Sequence, residues 1–285
     1  MRNLADCSLA IVVGAADIGS ATAVALHRAG YAVVLCEEVD PAWPRRGMAF
    51  TNAWYIGSAE LENVGAVFCA SARSIPTVLA RSRMIVATTW SWSGVAAALP
   101  PAAVVHAHWR GRPVDDLRAP DPLQWVTIGI GPGFVAGQSV DFVVESAPGP
   151  ALGTVIRAGP AASLCEDAQE QACAGDASFL HAPIGGRFMT ERRIGAAVLR
   201  GEIVGAIGVA PVAAPVAGVL RGLTARGARV MAGARIVEID PRGDPAACFG
   251  IGERSRVIAQ SVVAALACEV PVREHIDSAL LRTLG

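Results

Sequence analysis

The stretch Leu9-Ala10-Ile11-Val12-Val13-Gly14-Ala15-Ala16-Asp17-Ile18-Gly19 carries the reading of the fold. Five consecutive apolar residues suit a strand buried on both faces, as in the middle of a parallel sheet. Gly14 to Gly19 reads as a turn, and the Ala-rich run from Ser20 to Ala29 as a helix, with Gly30 placed to cap its C-terminus. Tyr31 to Cys36 is a second buried-type strand that ends at Glu37-Glu38. Strand, turn, helix and strand make one βαβ unit of ordinary length.

The turn has the spacing of a dinucleotide fingerprint, with Ala16 where a second glycine normally stands. Such a turn brings backbone close to a pyrophosphate and aims a helix N-terminus at it. Gly14, Ala16, Asp17 and Gly19 are therefore candidate cofactor contacts, and Glu37 or Glu38, about 20 residues on, is placed to hold a ribose hydroxyl. Asp17 reads as a helix cap or a polar contact to substrate. Arg45-Arg46 offers two planar forks of donors for phosphate or carboxylate, against the alternative of a solvated surface pair. Gly131 and Gly133 follow a strand-like run and expose backbone N–H groups to an anion, or simply turn the chain. His106 and His108 share one strand face, but no third ligand lies near and no metal site is expected. Trp90 and Trp92 likewise share a face and read as packing. No catalytic residue can be named from the sequence.

Working outward, strand-like runs recur at 66–69, 84–88, 104–107, 125–130 and 141–145, alternating with helical stretches. That alternation indicates a Rossmann-like, mostly parallel sheet over residues 1–158. Residues 159–178 read as a linker. An internal repeat follows, in which Ala182-Pro183-Ile184-Gly185-Gly186 recurs as Ala214-Pro215-Val216-Ala217-Gly218. Two short β-rich copies with matched glycines are a supersecondary duplication, and neither buries its apolar face alone. The spacing resembles the barrel-sandwich fold of lipoyl and biotinyl domains, placed at 179–245. Arg254 to Cys268 is an expected helix within a C-terminal region, 246–285. The fold class is thus α/β, with a small all-β lipoyl-like domain behind it.

Composition narrows the chemistry. The chain has 285 residues, a net charge of −1 and 24 Lys plus Arg, all of them Arg. Without lysine there is no Schiff base, no Walker-type phosphate clamp and no attachment point for lipoate or biotin. Gly208-Val209-Ala210-Pro211-Val212, where the modified lysine of a lipoyl domain would fall, has no amine. No basic stripe suggests a nucleic-acid partner. Seven cysteines without a CxxC pair read as buried thiols in a reducing compartment. The apolar stretches are interrupted by proline or charge, so no membrane span is expected and a cytoplasmic location is.

Further segments carry a family resemblance: Leu26-His27-Arg28-Ala29-Gly30, Arg45-Arg46 with Ala49-Phe50, 128–137 with Val140-Asp141, 215–223 and 238–245. Together with the first turn, they resemble the YqeB-like accessory proteins of the selenium-dependent molybdenum hydroxylase system, which are related to xanthine dehydrogenase maturation factors. The resemblance implies a role in maturing a molybdenum hydroxylase by handling, modifying or inserting its cofactor. The ligand would then be a nucleotide or dinucleotide, either NAD(P) or the molybdenum cofactor dinucleotide, and the partner a molybdenum hydroxylase or related oxidoreductase. Departures from the family pattern are Ala16, and His106 and His108 where Asp and Arg are usual. Two other readings remain open: a stand-alone NAD(P)-dependent oxidoreductase and a non-catalytic partner-binding scaffold. The Tyr-x-x-x-Lys chemistry of short-chain enzymes is excluded, because there is no lysine. Whether the chain is an enzyme, and whether it forms homo-oligomers, also stays open.

Overall fold

The computed structural model describes residues 7–37, 41–107, 117–118, 125–162 and 178–269. Glu38 and His108 lie outside them. The first half runs β1 (Leu9–Val13), α1 (Asp17–Arg28), β2 (Ala32–Cys36), α2 (Ala53–Ile56), β3 (Ser58–Leu61), β4 (Val64–Phe68), α3 (Ile75–Arg81), β5 (Ile85–Thr88), α4 (Trp92–Ala98), β6 (Ala103–His106), β7 (Val126–Ile130), β8 (Val135–Ala136), β9 (Phe142–Val144), β10 (Val155–Ile156) and β11 (Gly159–Pro160). The main sheet has the order β10-β9-β7-β6-β1-β2-β5-β4-β3. Its seven inner strands are parallel, and β3 and β10 close the two edges in antiparallel fashion. A parallel-dominated sheet of this kind agrees with the Rossmann-like expectation.

The all-apolar runs behave as their composition demands. Every residue of β1, β2, β5 and β6 is buried, because both faces of the sheet are covered. One face packs on α1, and α1 packs in turn on α5 (Glu253–Glu269), whose Ile258, Val262 and Leu266 join the same core as Val12 and Leu35. The expected helix is thus found, one residue longer at each end, and it belongs physically to the α/β half. The other face packs under α3 and α4, around Ile11, Val34 and Val86.

Between β11 and α5 lies the second half: β12 (Ser178–His181), β13 (Gly186–Met189), β14 (Ala197–Val198), β15 (Ile203–Ile207), β16 (Ala210–Ala213), β17 (Gly218–Leu223), β18 (Arg229–Val230) and β19 (Arg235–Asp240). They form two four-stranded antiparallel sheets, β12-β19-β17-β14 and β16-β15-β13-β18, and neither closes into a barrel. The repeat read from the sequence is reproduced strand for strand. β12 to β15 correspond to β16 to β19, and the correspondence carries one sheet onto the other. Each sheet takes two strands from each copy. A single copy therefore has no complete sheet, and both bury their apolar faces in one core around Phe188, Leu220, Leu223 and Ile236.

Candidate functional site at the carboxyl edge of the sheet

The chain runs from β1 to β2 on one side and, after β5, returns to place β6 on the other side of β1. Ligands of open α/β sheets bind outside the carboxyl ends of the strands at such a switch point. The Gly14–Gly19 turn sits there. Gly14 has φ +106°, a left-handed value that costs a residue with a Cβ 1–2 kcal/mol or so. At Gly19 an added Cβ would lie 1.8 Å from the Gly14 carbonyl oxygen, so the helix approaches the strand as closely as the chain allows. Two of the three fingerprint positions are thus glycine for backbone reasons. The middle one, Ala16, is extended at φ −70° and half-buried, and its side chain makes no cap.

Glu37 stands at the end of β2. Its Oε2 accepts the Ala15 amide at 3.2 Å, which ties the strand end to the turn. Its Oε1 accepts no bond among the described residues, and a ribose hydroxyl is a suitable donor for it.

Asp17 and the two arginines face a different task. Asp17 opens α1, and its Oδ1 accepts from Trp43 Nε1 at 2.5 Å. Its Oδ2 accepts from Arg45 at 3.1 Å. The same guanidinium donates through Nε to Glu238 Oε2 at 2.5 Å and through Nη2 to Oε1 at 2.9 Å, a bidentate pair with a carboxylate on β19. Glu238 is fully buried, and Arg221 on β17 approaches it at 3.4 Å. Burial pulls the Arg45 guanidinium down, but the hydrogen bonds and charges of Glu238 and Asp17 outweigh it and hold it above its ordinary value. Arg46 donates to the Leu223 carbonyl at 2.6 Å and to Asn52 at 2.5 Å. Burial lowers its pKa, against the opposing influence of Tyr55.

Neighbouring backbone continues this seam. Leu223 N donates to the Pro44 carbonyl at 2.8 Å, and the Thr224 hydroxyl to the Ala42 carbonyl at 3.0 Å. Residues 41–47 are therefore a strap that lies along β17 and holds the β half against the N-terminus of α1. The sequence offered Arg45 and Arg46 as phosphate or carboxylate contacts and held Arg221 and Glu238 only within segments that carry the family resemblance, with no sign that they meet, and it did not single out Trp43. The one available signal was Glu238 itself, an acid within the otherwise apolar run Ile236-Val237-Glu238-Ile239.

On the other side of β1, the Gly131 amide donates to the Val144 carbonyl at 2.9 Å, and a Cβ on Gly131 would meet the Ser146 hydroxyl at 2.4 Å. Gly131 thus turns the chain tightly and its amide is committed, while Gly133, at φ +91°, completes the turn. Phe134 folds back over Gly129, where a Cβ would lie 2.3 Å from its ring. His106 is buried at the end of β6, edge-on to Trp92 at 5.1 Å and 6.1 Å from the Phe134 ring. Among the described residues no three His, Cys, Asp or Glu side chains gather as metal ligands would, and no helix is long and apolar enough to cross a membrane.

The arrangement suits a ligand that offers a hydroxyl to Glu37 and an anion to the opening amides of α1. The negative charge of Asp17 beside those amides is offset by Arg45. Comparison with known proteins agrees with the sequence resemblance without adding an activity. No protein-family model matches the chain. It is 30% identical over 258 residues to YqeB of Escherichia coli K12, an uncharacterized protein. The match covers 90% of this chain and 47% of YqeB, so the chain spans about half the length of that relative. A product-bound structure of the ectoine utilization protein EutE (DoeB) from Ruegeria pomeroyi overlaps 82% of this chain and 52% of its own, at 12% identity and a TM-score of 0.20. A likeness that weak carries no argument about fold or function.

Proposed function

We propose that the chain belongs with the YqeB-like proteins and serves as an accessory factor for a molybdenum-containing hydroxylase or related oxidoreductase, binding a nucleotide-type ligand at the carboxyl ends of β1 and β2. The observation that carries this reading is the pairing of the Gly14–Gly19 turn with Glu37, one of whose carboxylate oxygens braces the turn while the other accepts no bond among the described residues. The similarity to YqeB supports the family, and the molybdenum role rests on the sequence resemblance. In this reading the amides at the start of α1 hold the phosphate, Glu37 orients the ribose, and the strap fixes both by anchoring Asp17. The β half, which we read as a barrel-sandwich module of the lipoyl kind, docks and carries no lysine-linked group, since the chain has no lysine.

Titration calorimetry of the full chain with NAD+, NADP+, CTP and the molybdenum cofactor dinucleotide tests the proposal. Saturable binding of at least one is expected, and Ala16→Asp should abolish it. Aspartate is a good N-cap, so the substitution adds repulsion while keeping the helix. Absence of binding by all four favours the scaffold alternative, in which Trp43, Asp17 and Arg45 only seal the end of α1.

A further inference from the structure

The loop after β5 carries a tryptophan whose setting differs from that of its neighbour. Trp92 is half-buried against His106. Trp90 is 45% exposed, and it is the one exposed tryptophan among the described residues. It is nevertheless held firmly. Its Nε1 donates to the Ala70 carbonyl at 3.0 Å, its backbone amide reaches the Thr88 hydroxyl at 3.3 Å, and its ring edge lies near the first turn of α4 at Gly94. Thr88 in turn donates to the Cys69 carbonyl at 2.8 Å and, through its own carbonyl, accepts the Glu37 amide at 3.0 Å. A large aromatic surface is thus fixed in orientation and left open to solvent, although packing alone gives no reason to expose it.

Its position along the sheet edge gives that surface a use. β1, β2 and β5 are successive neighbours, so the turn, Glu37 and Trp90 follow one another along the carboxyl edge. Two strand spacings, roughly 10 Å, separate the end of β1 from the end of β5, and the indole leans further, toward Ala70 beyond the end of β4. That is the order and scale of phosphate, ribose and base in one nucleotide. We infer that Trp90 is the platform on which the base stacks, which makes the ligand a nucleotide with an intact base and not a sugar phosphate or free anion. A ring held in place before binding loses little conformational freedom, and stacking on it tolerates different bases because each presents a π-face. The inference rests on the nucleotide reading proposed above.

The test compares the wild-type chain with Trp90→Ala and Trp90→Phe, using NAD+, NADP+, CTP and ribose 5-phosphate as probes. The wild-type chain should bind a base-containing probe at least tenfold more tightly than ribose 5-phosphate. Trp90→Ala should weaken that probe on the order of tenfold while leaving ribose 5-phosphate binding unchanged. Trp90→Phe keeps a ring but loses the bond to Ala70, and should retain most of the affinity. If the wild-type chain binds none of the base-containing probes, the nucleotide reading falls and this inference with it. If it binds one and Trp90→Ala binds it equally well, or loses sugar phosphate and nucleotide alike, the stacking role alone is overturned.

Discussion

The strands of the two halves are buried differently. In the α/β half, β1, β2, β5 and β6 are covered on both faces along their whole length. In the β half, β13 and β16 each bury a single residue of four. A two-sided sheet needs helices above and below, so the first half recruits α5 from beyond the second, and the β half sits within the α/β half as an insertion. The two-sheet half needs no helix, because each sheet covers the inner face of the other. What joins them is mostly polar, although Ala42 of the strap packs on the core of the β half. The hydrogen bonds of the seam run from backbone to backbone and through a chain of charges, Asp17, Arg45, Glu238 and Arg221, of which Glu238 is fully buried and the other three partly so. Charged seams of this kind stabilise little over an apolar substitute, but losing one partner is costly, because the other is left buried and uncompensated.

The largest expected effect follows from that asymmetry. Arg45→Ala strips the bidentate partner from the fully buried Glu238. It should cost roughly 3–5 kcal/mol in urea unfolding. Combining Arg45→Met with Glu238→Leu should recover part of the loss, since the fully buried carboxylate is gone, while Asp17 and Arg221, each more than a tenth exposed, lose one partner apiece. A single-variant loss below about 1 kcal/mol would show that solvent reaches Glu238 and that the two halves are more loosely joined than their contacts indicate.

The same contrast explains what was legible in the sequence. Apolar runs as short as Leu9–Val13, closed by turn glycines and alternating with Ala-rich helical stretches, suit strands buried on both faces, so the parallel sheet could be read from them. The duplication was legible because its glycines recur at matched turns: Gly195 and Gly227 share φ near +83°, as Gly201 and Gly233 do near +80°. The seam was not legible, since Arg45 and Glu238 are far apart in sequence and only the folded strap brings them together. Arg45-Arg46 is the same dipeptide whether it meets a phosphate, as its donor forks allow, or a carboxylate and a carbonyl, as the structure has it. Trp90 and Trp92 alternate as strand residues would. Instead, the intervening Ser91 caps α4 by accepting the Gly94 amide, which turns the two rings into different surroundings.

A smaller effect separates the α/β half from the seam by pH. Glu62 lies at the β3–β4 turn in a left-handed conformation, with φ +49°. It accepts from Arg256 on α5 at 2.6 Å, from the Ile251 amide at 3.1 Å and from Arg28 on α1 at 3.3 Å. The Arg256 hydrogen bond lowers its pKa, burial opposes this, and the Ile251 amide and Arg28 assist, bringing it from 4.5 to about 2. A carboxyl lowered on folding contributes stability that is complete above its unfolded pKa and is lost as pH falls toward the folded one. The wild-type chain should therefore lose more stability than Glu62→Gln between about pH 5 and about pH 2. Because the cluster is partly solvated, solvent screens much of the gain. Parallel acid profiles for the two proteins would mean that α5 is held by its apolar face alone.

The smallest effect is expected at the tip of the β half. Gly208 turns the chain between β15 and β16 at φ +57°, and Val209 beside it is 99% exposed. An apolar side chain in that position contributes almost no burial, so Val209→Lys should change stability by no more than about 0.5 kcal/mol. Glycine at 208 already supplies the conformation of the turn, and the strand register is set by the pairing of Phe188 with Ile207 and of Ile207 with Ala210. None of these contacts depends on the residue at 209. A loss above about 1 kcal/mol in thermal or urea unfolding would therefore mean that Val209 is covered in solution. Concentration dependence of that loss would then distinguish a second copy of the chain, which dilution removes, from a contact within the chain, which dilution leaves intact.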